Sequence, residues 1–250
     1  MESNRKTALS AGVLFIIATV ASIAGTAVYG PIVNDPDRLL RVGASASPLA
    51  LGVLLQLLAA GASAGIAVSL YPVLKEWGVA MALGSVVFRT LESAMYAIGA
   101  VSLMGLLPLG GQFAGAAATE RASLTALSEV LLGVRDAASV AGVLAFTVGA
   151  LLYSWLLYQS NLVPRWLSGW GIVALFLMMA GCLLALVNQS PVTSYVILAA
   201  PIGVQEMVLA LWLIVRGFSS AALASVPMQP KVATQPSGGK ASIQISEARP

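Results

Sequence analysis

The chain has 250 residues, 58% hydrophobic and only 9% charged, with a formal net charge of +3 and a mean hydropathy of +0.90. Soluble domains carry about 25% charge, and no soluble core of this size hides so much apolar surface, so the surplus faces the lipid bilayer. The basic residues are scattered at the ends of apolar runs without an aromatic-basic stripe, which speaks against a nucleic-acid partner.

Windows of about 20 apolar residues predict six spans: Ala8 to Tyr29, Pro48 to Leu70, Val79 to Leu107, Ala137 to Tyr158, Leu167 to Val187 and Ser194 to Val215. An isolated run of this length satisfies its backbone only by hydrogen bonding within itself, so all six read as helices. The alternation of a membrane β-barrel is not evident. The fold class expected is all-α, a polytopic six-transmembrane-helix bundle filling residues 1–218.

The first span follows the basic start "MESNRKT", and Ser22-Ile23-Ala24 has the small-residue look of a signal cleavage site. Its apolar stretch exceeds the roughly 7–15 residues of a signal core, which favours a retained helix. "NDPDRLLR", residues 34–41, reads as a polar loop. The second span carries a stripe of Gly52, Gln56, Ser63 and Ala67, and its "GASAG" has the GxxxG spacing at Gly61 and Gly65.

The third span contains "FRTLESAMY", with Arg89 and Glu92 at depth. At about 100° per residue, Ser85, Arg89, Glu92, Ser93, Tyr96 and Gly99 share one face, with Val87, Leu91 and Ile98 opposite, so the charges point into the bundle. Arg89 and Glu92, spaced i, i+3, can pair along their own helix. Glu206 of the last span lies at similar depth, and the sharper expectation is that Arg89 bridges across to it.

Residues 108–136 form a longer connection. "PLGGQFAGAAA" reads as irregular, and its second part puts Leu124, Leu127, Leu131 and Val134 on one face, with Ser128, Glu129 and Arg135 turned away. An interfacial helix, an early start of the fourth span and a lid over a cavity all fit. Between the fourth and fifth spans, "YQSNLVPRWLSGW" breaks the helix at Asn161 to Pro164. Arg165 and Trp166 there suit a positive, aromatic interfacial turn.

Around Glu206, Ala199, Gly203, Ala210 and Gly217 make a small-residue face. The resulting polar intramembrane centre is Arg89, Glu92, Gln205 and Glu206, with Gln56 and Tyr96 as outer members. After Phe218 the composition turns to Ser, Pro, Gly and Gln, which predicts a disordered cytoplasmic tail over residues 219–250.

Histidine is absent and Cys182 is the single cysteine. That removes Ser-His and Cys-His hydrolases, His-ligated haem, and His-containing or Cys-rich metal sites within one chain. Cys182 reads as an inert buried side chain. No catalytic residue, metal site or cofactor is expected.

With an even number of spans both ends share one side, which receives Arg5, Lys6, Lys75, Arg165 and Arg216. The other side receives Arg38, Arg41, Arg121 and Arg135. This bias, with Lys231, Lys240 and Arg249 added by the tail, places both termini in the cytoplasm.

"LYPVLKEW", "ALGSVVFRTLESAMYAIGAVSLMGLL", "LLYSWLLYQSNLVPRWLSGWGIV" and "QEMVLALWLIVRGF" resemble a bacterial integral membrane family known as domain of unknown function 4386. The resemblance spans about residues 8–218. It implies a compact multi-span protein of the bacterial inner membrane and no particular activity. Three function classes follow from the residues. The first is a small carrier or permease whose charged centre binds a small solute or relays a proton. The second is a structural or accessory membrane protein whose ion pairs fix helix register. The third, ranked last, is a lipid-active enzyme with Glu92 or Glu206 as general base. Besides the lipid bilayer, a homo-oligomer is compatible with the sequence.

Overall fold

A computed structural model describes residues 2–190 and 192–225. Among them every regular element is helical. Six helices are long and apolar enough to cross a membrane: α1 (Glu2–Val33), α3 (Ser47–Leu74), α4 (Val79–Met104), α6 (Ala118–Ser160), α7 (Arg165–Val187) and α8 (Val196–Val215). Shorter helices α2 (Arg38–Ala44), α5 (Leu106–Phe113) and α9 (Ser220–Ala224) lie between or after them, and a 3-10 turn, Val192–Tyr195, leads into α8.

The long helices alternate in direction, and each packs against the next, α1 on α3, α3 on α4, α4 on α6, α6 on α7 and α7 on α8. Finally α8 returns to α1 and closes the ring. Short connections favour such antiparallel neighbours. Outward positions stay apolar and exposed, as at Leu54, Val87, Val101, Val173 and Phe176, where lipid is the solvent.

Both described chain ends lie at one face of the ring. Its apolar core runs from Ala8, Ala11 and Phe15 of α1 through Leu70 and Leu74 of α3, Tyr153 and Leu157 of α6 and Leu167 of α7 to Leu209 and Leu213 of α8. The Arg5 guanidinium donates to the carbonyls of Leu213, at 3.1 Å, and Ile214. It thereby occupies acceptors that the end of α8 leaves without helical donors. The expected interfacial turn sits at this face. Asn161 takes the left-handed conformation (φ 55°) that ends α6, Pro164 precedes α7, Arg165 lies over the Tyr158 ring, and Trp166 is exposed.

The opposite face departs from the sequence reading in three places. "NDPDRLLR" is not simply a loop: α2 forms there because Leu39 and Val42 bury one side of a short helix. The glycine-rich stretch is irregular only over residues 114–117, since α5 continues beyond Gly105 to Phe113 and packs Leu106 and Leu109 against the same cluster. The second half of the connection is the early start of the fourth span. With 43 residues, α6 is about 64 Å long at about 1.5 Å per residue, roughly twice a hydrocarbon core of about 30 Å. Its amphipathic reading also inverts in part, for Leu127 and Val134 are exposed whereas Ser128 is fully buried beneath α2. Arg38 of α2 causes this, reaching Ser128 Oγ at 3.5 Å and pairing with Glu129.

The expected tail begins with the short helix α9, capped by Ser219, whose backbone N–H donates to Leu162 O at 2.9 Å. The rest of that expectation, residues 226–250, lies outside the described residues.

Candidate functional site

Midway along the ring the apolar core gives way to a cavity of about 250 Å³ walled by all six long helices. A second cavity of about 230 Å³ adjoins it toward the face opposite the termini and shares Ser22, Gln56, Tyr96 and Ala199 with it. Together they form a chamber, and toward the terminal face Phe15 and Tyr153 are buried in edge-to-face contact with ring centroids 6.1 Å apart.

The polar face of α4 lines this chamber. Arg89 and Glu92 are 2% and 3% exposed, among the few charged side chains so deeply enclosed, while Val87, Leu91 and Ile98 on the reverse of the helix are open to the outside. Arg89 Nη1 lies 2.9 Å from Glu92 Oε2, and the guanidinium stacks over the Phe146 ring of α6 at 4.7 Å. Ser63 Oγ of α3 donates to Glu92 Oε1 at 2.8 Å. Gly149 makes this packing feasible, because a Cβ there would stand 3.1 Å from the backbone nitrogen of Arg89 and 3.0 Å from its Cγ.

Glu206 enters from α8 and also lines the cavity. The expected bridge from Arg89 to Glu206 is not formed. Arg89 takes the carboxylate one turn along its own helix, and Glu206 instead accepts from Tyr153 Oη of α6 at 3.1 Å. Tyr153 lies in the apolar run "LLYSWLLY" and was missed in the sequence. The signal was available, since a phenol hydroxyl inside a span needs a partner.

Gln205 belongs elsewhere. It is buried but donates through Nε2 to Leu167 O of α7 at 3.1 Å and fills the space beside Gly171, so it does not join the cavity lining. Adjacent helical residues do not face the same way, and Glu206 holds the inward direction. The outer members Gln56 and Tyr96 both line the junction of the two cavities. Gln56 Oε1, Arg89 Nε and Nη1 and Glu92 Oε2 have no aligned hydrogen-bond partner among the described residues. The Arg89–Glu92 contact is therefore an ion pair held by proximity rather than by a directed hydrogen bond. Arg135, at the outer end of the chamber, is engaged by Asp136 at 2.7 Å and lies near the Tyr29 ring.

A family model described as a domain of unknown function (DUF4386) matches residues 10–217, which takes in the chamber and all six long helices apart from the start of α1. The chain belongs to this family. No similar curated protein and no similar solved structure is found. The DUF4386 chain is thus a multi-pass helical membrane protein whose most distinctive chemistry is two carboxylates and one arginine around an internal cavity.

Cys182, which read as inert, is 1% exposed and points its thiol toward Val140 O at 3.7 Å. It does not line either cavity of the chamber.

Proposed function

We propose that the chamber is a binding site for a small solute and that the protein is a small carrier or permease. The observation that carries this reading is the position of the cavity: halfway along a closed ring of six helices, with Arg89, Glu92 and Glu206 on its wall and apolar side chains such as Phe146, Met178 and Ile202 around them. Ionisable groups inside a membrane are expensive, about 2.5–3.5 kcal/mol each on insertion scales, and concentrate on substrate and proton pathways. Ligand sites are largely apolar concavities with a few convergent polar groups, and a volume near 250 Å³ suits a ligand smaller than a typical drug.

A thermal-shift screen of the purified protein against water-soluble solutes and amphiphiles tests it. Saturable stabilisation by at least one compound is expected. It should be lost in Gly203→Leu, which fills open space where a Cβ meets nothing within 4 Å. A flat response to every compound would remove the carrier reading.

One feature favours the structural or accessory reading. Ser63, Glu92, Arg89 and Phe146 tie α3, α4 and α6 together, as a register-fixing ion pair would.

We further propose that the chain sits in the bacterial inner membrane with both ends cytoplasmic, on the five-to-four bias of basic residues. Exposed Ser220 and Asn34 provide the test. Ser220→Cys should react with a membrane-impermeant thiol reagent only after cells are opened, and Asn34→Cys in intact cells. The reverse pattern would overturn the orientation.

A further inference from the structure

The charges around the inner cavity do not balance. Its wall holds Glu92 and Glu206 against one cation, Arg89, and Arg135 on the wall of the outer cavity is paired with Asp136 at 2.7 Å. Arg89 is committed, 2.9 Å from Glu92 and stacked on Phe146. Glu206 has the Tyr153 hydroxyl on one oxygen, and no lysine or arginine nitrogen pairs with it among the described residues. The other helices supply the inner cavity with hydroxyl and amide groups, Ser22 and Gln56 among them, but no further cation. A carboxylate facing a largely apolar cavity is complementary to a single positive charge. Tyr96 lines the same cavity and brings an aromatic ring of the kind that attracts an ammonium.

The route in is marked by the seam between α1 and α8. Toward the terminal face this seam is shut: a Cβ at Gly12 would stand 2.8 Å from Ala210 O, and Arg5 binds the end of α8. Further along it parts. Ile23 is 66% exposed yet lines the inner cavity, and Val196, 60% exposed, lines the outer one. Gly203 of α8, also on the wall, has open space in front of it. Side chains that touch both the cavity and the outside mark an opening, and Ile23 lies inside a helix long and apolar enough to cross a membrane. The opening therefore faces lipid.

We infer that the chamber takes a small amphiphilic organic monocation out of the membrane, admitted between α1 and α8, with Glu206 as its counter-ion. This rests on the solute-binding reading above and adds the charge, the amphiphilic character and the door. An apolar tail lies between Ile23 and Val196 while the ammonium head reaches Glu206.

The test uses the full chain in phosphatidylcholine nanodiscs, with empty nanodiscs as background, and radiolabelled octyltrimethylammonium as the probe. Saturable binding is expected, competed by the unlabelled cation and not by octyl sulfate. Glu206→Gln should weaken it roughly tenfold or more, equal to about 1.4 kcal/mol, whereas Glu129→Gln at the far surface should leave it unchanged. Ile23→Trp keeps every charge and should slow association of the octyl compound more than that of tetramethylammonium, which has no tail to thread. Binding unchanged in a folded Glu206→Gln protein, or a preference for octyl sulfate, would overturn the inference. If other solutes still stabilise the protein in the thermal-shift screen, the solute chamber survives that outcome. If Ile23→Trp slows both cations equally, the lateral door is wrong.

Discussion

Replacing Arg89 by leucine probes the centre most directly. Leucine keeps much of the apolar volume over Phe146 and beside Gly149, so the main change is electrostatic. Glu92, 3% exposed, would keep only the Ser63 hydroxyl at 2.8 Å in place of a cation at 2.9 Å. Breaking a buried pair by removing one partner costs about 3–5 kcal/mol, because the other charge stays behind uncompensated. Adding Glu92→Gln neutralises the stranded group, and the double variant should recover most of that loss. Coupling between close charge pairs reaches about 1.5 kcal/mol or more, whereas independent sites scatter within about 0.5 kcal/mol. Unfolding of the detergent-solubilised protein, followed by the fluorescence of its 5 tryptophans, gives the four corners of the cycle. A coupling below about 0.5 kcal/mol for Arg89 with Glu92, or a larger one for Arg89 with Glu206, would refute the pairing described here.

Ser63→Ala should cost about 1.5–3 kcal/mol, the range for a hydrogen bond to a charged group, read from the same unfolding transition. Gly149→Ala should destabilise by about 1–3 kcal/mol through overpacking, since its Cβ would press on Arg89 and on Phe88 Cβ at 3.1 Å. Gly61→Ala, half of the GxxxG spacing, meets nothing within 4 Å and should be neutral or stabilising by about 0.5–1 kcal/mol in thermal unfolding. Losing the Arg5 contacts in Arg5→Gln should lower stability by about 1 kcal/mol and expose the end of α8 to faster amide exchange.

The parts legible in the sequence were those that periodicity controls. A helix displays its faces at fixed angles, so the inward set from Ser85 to Gly99 and the outward set of Val87, Leu91 and Ile98 could be sorted from spacing alone. Pairing across helices is a different matter, because depth along the bilayer does not fix rotation or neighbours. Arg89 and Glu206 line one cavity, yet arginine found its carboxylate three residues away. The GxxxG spacing does not mark the helix contact for a similar reason: a Cβ at Gly65 would meet only the Leu14 side chain, while the close backbone approach of α1 and α3 is made by Gly25 and Gly52. Around residues 34–41 and 108–117 the apolar side chains that form α2 and α5 were visible, but each helix is stabilised mainly by burial against the other, which no local pattern reveals.

The centre divides into two parts with different work. Ser63, Glu92, Arg89 and Phe146 join three helices through deeply enclosed groups, whereas Glu206 is joined to the ring by one hydroxyl and otherwise meets the cavity. Glu206→Gln should therefore separate stability from binding. The amide oxygen still accepts from Tyr153, and the change removes a charge that costs about 2.5–3.5 kcal/mol to hold inside a membrane. Unfolding should shift by less than about 1 kcal/mol, the value of a typical hydrogen bond, or move toward greater stability. The cation should be lost at the same time. A loss of stability as large as that of Arg89→Leu would mean that Glu206 helps hold the helices in register, and the two-part view of the centre would fail.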